Sequence, residues 1–419
     1  MDSLIALSAS ASFIYQYYDS AAMITTLITL GKFLEARAKN HTSDAITALL
    51  NLTPPKAFVK RHGEVGEIPV SELLVGDVVI IKNGWRVPSD GKIINGSCAM
   101  DESAITGESE AVEKNIDSLV IGGTLCVKGE GEFVVTAIGN DTTIANIIKL
   151  VDEATTTKAP VAQLADKISG IFVPCVIFVA LFAGGVWLLC GAEKSFALKI
   201  VISVLVISCP CALGLATPTA IMVATGRGAN MGILIKSASA LQQANEIDTV
   251  VLDKTGTITE GKLTDGEKDK IKSTSVAAIQ ELYQKNKNVI MLSGDKKEIA
   301  SQIAADTGIK EFRSECLPED KEKVVKELQK AGHKVLMVGD GVNDAPALAR
   351  SEVGVAIGAG TDVAIESADI VLMKSDLQDV VKLLNLSYAT MKCIKENLWW
   401  AFFYNVIFLF YKDPVFQIF

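Results

Sequence analysis

With 419 residues the chain is long enough for two or three domains, and a net charge of −9 with a pI near 5.1 excludes a broad nucleic-acid-binding surface. A mean hydropathy of +0.33 and 49% hydrophobic residues are high for a soluble protein and point to membrane segments. Eight scattered Cys exclude a disulfide scaffold, and Met1-Asp2 lacks the basic start of a cleavable signal peptide.

Leu4 to Tyr18 is apolar but falls short of the ~20 residues a span requires. Ala21 to Phe33 continues as an apolar helix that runs into Glu35, Arg37, Lys39 and His41. That is the pattern of a membrane helix emerging into cytoplasm, with an amphipathic soluble helix as the alternative. From Lys56 to about Leu150, alternating runs such as Asp77–Ile81 and Gly131–Val135, with turn signals like Asn83-Gly84, predict a small, mostly β domain. Within it, Asp101 to Ser109 reads as a polar loop in which Gly107 permits a tight turn and Glu108 projects. A Glu so placed orients a water for hydrolysis, or is simply solvated.

Ile168 to Cys190 predicts a membrane span, and Phe196 to Thr225 another. The second holds Ser208-Cys209-Pro210-Cys211 at its middle. Pro removes an amide donor and breaks the helix, which a bilayer tolerates where the freed groups line a cavity. Thiols on both sides of the break form a soft site for Cu(I) or Zn²⁺; the alternative is a kink between two small buried Cys.

From Lys236 to about Leu384 strand-like and helix-like runs alternate, which predicts a parallel, doubly wound sheet. Thr249–Leu252 leads into Asp253-Lys254-Thr255-Gly256-Thr257, Val289–Leu292 into Ser293-Gly294-Asp295, and Val335–Val338 into Gly339-Asp340-Gly341-Val342-Asn343-Asp344. Ligands bind outside the carboxyl ends of such strands. A carboxylate at Asp253 either holds Mg²⁺ or attacks a phosphoryl group, unless it merely caps a helix. Convergence of Asp253, Asp340 and Asp344 would build a Mg²⁺–phosphate site from hard oxygens. Asn397 to Tyr411 is a final aromatic-rich apolar segment.

These motifs resemble, in family order, those of the heavy-metal-transporting P-type ATPases, closest to the Cu(I)-exporting group: Thr106-Gly107-Glu108-Ser109, Cys209-Pro210-Cys211, Asp253 to Thr257 and Gly339 to Pro346. The resemblance implies a multidomain membrane protein: an α-helical transmembrane bundle, a small mostly-β actuator domain and an α/β haloacid-dehalogenase-like phosphorylation domain. It divides the chain into 1–55 (membrane helices, abridged), 56–150 (actuator), 151–235 (transmembrane pair with the Cys-Pro-Cys site), 236–385 (phosphorylation domain) and 386–419 (a truncated membrane helix). It implies a translocase that uses ATP and Mg²⁺ to export Cu⁺. Asp253 would take the γ-phosphate. Asp340 and the Thr255 carbonyl would hold Mg²⁺, with Asp344 in the same cofactor cluster. Ser293, Gly294, Lys321 and Asn343 would contact the phosphoryl oxygens, Ser293 standing where the family usually has Thr. Glu108 would direct water onto the aspartyl-phosphate. Cys209, Cys211, Tyr404 and Asn405 would bind copper in transit, the Tyr-Asn pair favouring Cu(I) over Zn²⁺. Partners implied are membrane lipid and a copper chaperone, and the location is the cell membrane with the soluble domains cytoplasmic, in keeping with Lys32, Arg37 and Lys39.

Soluble phosphatases of the haloacid dehalogenase class carry a second Asp two positions after the first, and here that position is Thr255. Without it a phospho-enzyme persists until Glu108 arrives, which lets chemistry drive a conformational cycle. The chain also departs from the family. Asp253 and Asp295 are only 42 positions apart (295 − 253), and none of the three His precedes a Pro, so the nucleotide-binding domain is expected to be missing near 260–270. No amino-terminal Cys-x-x-Cys domain is found, and the chain stops before the last membrane helix of the family. A catalytically deficient remnant that binds Mg²⁺, phosphate and metal without pumping is therefore the alternative, and a Zn²⁺ or Cd²⁺ exporter a lesser one.

Overall fold

The structure is a computed structural model. It describes Ala22, Thr25, Thr26, Thr29, Leu30, Phe33 and residues 52–411, except 62, 107–110, 157–159, 208–210, 262–268, 341 and 359–365. The chain divides into a larger unit, Ser43–Thr157 with Val223–Tyr388, and a smaller one that includes Lys158–Met222 and the chain from Ala389 onward.

The larger unit opens with an antiparallel sheet: β1 (Lys56–Arg61), β2 (Glu64–Pro69), β3 (Val78–Lys82), β4 (Asp90–Asp101), β5 (Val112–Lys114), β6 (Leu119–Val120) and β7 (Leu125–Ala137). Their order is β2-β1-β3-β7-β4-β5, with β6 on β4. Period-two alternation sends Val79, Ile81, Ile93, Met100, Phe133 and Val135 to one core. After β4 the expected polar loop begins instead as a single helical turn, α1 (Ser103–Thr106), fixed by Asp101, whose carboxylate accepts from the Ser103 amide at 2.9 Å. Helix α2 (Thr143–Thr156) starts where Asp90 accepts from the Thr143 amide (2.6 Å) and hydroxyl (2.7 Å), a side-chain cap from a distant strand.

In the smaller unit, α3 (Pro160–Leu189) and α4 (Lys194–Ile207) pack through Val176, Ala180 and Ala183 against Ile200, Val204 and Leu205. Among the described residues, Gly170–Leu189 is the stretch long and apolar enough to cross a membrane by itself. Within the span expected over Phe196–Thr225, α4 runs to Ile207 and α5 (Cys211–Asn230) is helical from Cys211; the Pro210 break lies outside the described residues.

The remaining strands form a second sheet: β8 (Ile233–Ile235), β9 (Thr249–Asp253), β10 (Asn288–Leu292), β11 (Glu311–Arg313), β12 (Val335–Gly339), β13 (Val353–Ile357) and β14 (Ile370–Leu372), in the order β11-β10-β9-β12-β13-β14-β8. All neighbours are parallel except β8 on β14. The connections are α6 (Ala238–Ala244), α7 (Ser275–Gln284), α8 (Lys297–Thr307), α9 (Pro318–Lys330) and α10 (Ala345–Arg350), and α11 (Gln378–Tyr411) follows the last strand. Helices on both faces explain why β9, β12 and β13 are buried at every residue and read as unbroken apolar runs. Leu292 pairs with Asp253 and Val338 with Leu252, so the loops after β9, β10 and β12 leave the sheet at one edge.

Candidate phosphoryl-transfer site

That edge carries a cleft of about 250 Å³ lined by Asp253, Thr255, Gly294, Lys321, Asp340 and Asp344, with Cys316, Pro318 and Asn343 completing it. Asp253, the last residue of β9, is 4% exposed. The buried Lys321, in the first turn of α9, places Nζ 2.5 Å from Asp253 Oδ1 and 2.6 Å from Asp344 Oδ1. Carboxylate oxygens of Asp253, Asp340 and Asp344 all lie within 4.8 Å of one another.

Burial, then the facing Asp344, push the Asp253 carboxyl up to about 6 despite Lys321 beside it. Burial and Asp344 likewise raise Asp340. Burial works against the Lys321 ammonium, but Asp253 and Asp344 together outweigh it and hold the amine above its usual value. The cleft thus holds more carboxylate than its lysine neutralises. A clustered set of hard oxygens with unbalanced negative charge fits Mg²⁺, which Asp253, Asp340 and the Thr255 carbonyl would hold, with Asp344 in the same cluster.

The loop after Asp253 is shaped by a left-handed Gly256 (φ +72°), where a Cβ would run into the Asp340 carboxylate. Gly294 lines the cleft, and the adjacent Ser293 is buried, its hydroxyl accepting from the Asp295 amide at 3.1 Å. Glu108 and Cys209 lie outside the described residues. Cys211 opens α5, and Tyr404 and Asn405 lie in the second half of α11, but the structure does not describe these three side chains.

Several contributing residues carry no role in the sequence reading. Lys254 is buried between Asp269 (2.9 Å) and Asp295 (2.7 Å), and Asp269 also accepts from the Thr259 hydroxyl at 2.7 Å. Thr259 bridges to Ile271 while Glu260 donates its amide to the Lys270 carbonyl, so the two ends of the short connection meet as a ribbon beneath the site. Lys254 stands inside a motif and was the one detectable member; Asp269 gives no local signal.

Residues 51–152 match the P-type ATPase actuator domain family, and residues 262–352 match the haloacid dehalogenase-like hydrolase family. Fold and family matches together define an α/β core of haloacid dehalogenase type joined to an actuator domain. The chain is 39% identical to a probable copper-importing P-type ATPase A of Enterococcus hirae, covering 97% of this chain and 73% of the relative. It is 38% identical both to a copper-transporting ATPase 2 of Rhizobium meliloti (93% of this chain, 61% of the relative) and to a copper-exporting P-type ATPase of Staphylococcus aureus (97% and 66%). Two solved structures of a zinc-transporting PIB-type ATPase are 28% identical, with TM-scores of 0.58 and 0.54; each match covers 97% of this chain, and 84% and 85% of theirs. The chain belongs to the P-type ATPase family. The Enterococcus alignment runs over 531 positions against a chain of 419, so at least 112 of them (531 − 419) have no counterpart here.

Proposed function

We propose that this chain is a copper-transporting P-type ATPase in which Asp253 is the phosphoryl acceptor. The convergence of Asp253, Asp340, Asp344 and Lys321 at one strand edge is the observation that carries this reading. An Asp253 oxygen attacks the γ-phosphorus of ATP, the bond to the β-phosphate oxygen breaks, and ADP leaves an aspartyl-phosphate behind. Lys321 orients the attacking carboxylate, while Gly294, Asn343 and, through its loop, Ser293 contact the phosphoryl oxygens. Bound Mg²⁺ supplies charge neutralisation to those oxygens. In the second half of the cycle Glu108 takes a proton from the water that attacks phosphorus, and the Asp253 carboxylate is the leaving group. Cys209, Cys211, Tyr404 and Asn405 hold Cu(I) in transit.

Relatives are named both importing and exporting, and we assign export of Cu⁺ from a cytoplasm that supplies it through a chaperone. The cell membrane is the location, with lipid around the smaller unit and the soluble unit cytoplasmic. A second reading, a core that binds Mg²⁺ and phosphate without pumping, is favoured by the short ribbon from Glu260 to Lys272 and by the relatives' extra positions. Of the lesser cargo readings, Zn²⁺ is supported by the solved zinc transporter, and nothing favours Cd²⁺.

Incubating the purified chain with γ-labelled ATP, and separately with labelled acetyl phosphate, distinguishes the readings. Labelling by both supports the pump. Acid-stable label from acetyl phosphate alone supports the core that cannot use nucleotide, and no label from either sinks the active-enzyme reading. Titration with Cu(I) and Zn²⁺ identifies the cargo.

A further inference from the structure

The loop after Asp253 is gripped from a part of the chain that none of the motifs includes. The Gly256 carbonyl accepts from Lys272 Nζ and, at 3.2 Å, from the hydroxyl of Ser375, 119 residues further on. Lys272 Nζ also donates to Ser375 Oγ at 2.7 Å, so ammonium, hydroxyl and carbonyl close a triangle. Ser375 follows β14, where the Gly358 amide donates to the Lys374 carbonyl at 3.0 Å and Gly358, at φ +78°, packs beside Ser375. The grip acts on the one loop residue that cannot carry a side chain. Gly256 lies so close to Asp340 that a Cβ would meet its carboxylate, so rotation of the Gly256–Thr257 peptide moves backbone against a cluster carboxylate.

We propose that Ser375, together with Lys272, is a positioning residue of the phosphoryl-transfer site: it holds the Gly256 carbonyl and thereby seats the loop after Asp253 against Asp340. The proposal rests on Asp253 being the phosphoryl acceptor. A hydroxyl to a buried-side carbonyl fixes the peptide plane. The ammonium behind it strengthens that bond, because charge-assisted hydrogen bonds are stronger than neutral ones. Without the grip the loop samples orientations in which the Thr255 carbonyl and Asp340 no longer face one ion together. Substrate need not touch Ser375 for this, and its effect is read on Mg²⁺ rather than on stability alone.

The test titrates Mg²⁺ into the full chain in detergent, follows the thermal unfolding midpoint, and measures labelling from acetyl phosphate in parallel. Ser375→Ala is expected to need about three- to tenfold more Mg²⁺ for half its stabilisation, the loss of one hydrogen bond. Ser375→Thr, which keeps the hydroxyl, is expected to return to within about twofold of wild type on the same scale. Wild-type titration in Ser375→Ala, equal impairment in Ser375→Thr, or no Mg²⁺ stabilisation of wild type would each overturn the proposal. If wild type takes no label from any donor, the phosphoryl-acceptor reading falls, and the Mg²⁺ midpoints still decide whether Ser375 seats the loop.

Discussion

Replacing Lys321 by Met should destabilise the larger unit strongly, because the lysine is the counter-charge of two buried carboxylates. Its Nζ lies 2.5 Å from Asp253 and 2.6 Å from Asp344, whose side chains are 6% and 2% exposed. Removing one partner of a buried pair leaves uncompensated charge, typically at a cost of about 3–5 kcal/mol. Asp253→Asn should act in the opposite direction. The Asp253 carboxyl sits at about 6 in the fold, against roughly 3.9 in an unfolded chain. Between those values the folded state binds more protons, so this group's contribution to stability falls as pH rises from about 4 to about 6. Such a rise corresponds to a penalty of about 3 kcal/mol at neutral pH, already net of Lys321, which Asp253→Asn removes. Thermal unfolding at pH 4 and pH 7.5, without Mg²⁺, measures both variants. Asp253→Asn should gain stability at pH 7.5 relative to wild type and lose most of that gain at pH 4. A Lys321→Met protein as stable as wild type, together with no gain in Asp253→Asn, would refute the picture of an over-charged cluster.

Mg²⁺ should stabilise the wild-type chain by about 2.7 kcal/mol at a hundred times its dissociation constant, and Asp340→Asn should abolish most of that increment in the same unfolding assay. Gly256→Ala places a Cβ against the Asp340 carboxylate at a left-handed backbone position, so labelling from acetyl phosphate should be lost while far-UV circular dichroism is retained. Cys209→Ser and Cys211→Ser should each lower Cu(I) affinity by at least about tenfold in a competition titration with a chelator, since a hard hydroxyl replaces a soft thiolate.

The elements around Asp253 were legible because each strand is buried on both faces and runs into a loop bearing Gly and Asp, as in Val335–Val338 before Gly339-Asp340. Parallel order follows from the helices between them, and Asp253, Asp340 and Asp344 converge because the adjacent strands β9 and β12 end at one edge. What escaped has no local signature. Asp269 stands in a charged connection that reads as solvated, yet it is buried against Lys254 because the ribbon folds back under the loop. Ser375 and Lys272 meet Gly256 only through tertiary packing. Ser293 stands in its motif at the end of β10, where its hydroxyl accepts from the Asp295 amide and keeps its own proton to donate.

The central claim is that a phosphoryl group becomes bonded to Asp253. Tritiated borohydride reduces an acyl phosphate to the alcohol, converting aspartate into homoserine at the modified position. After reaction of the full chain with acetyl phosphate and Mg²⁺, quenching, reduction and peptide mapping should place tritium in the peptide spanning Thr249 to Thr259, at position 253. Tritium elsewhere, or none in that peptide while phosphate is incorporated, would contradict the account.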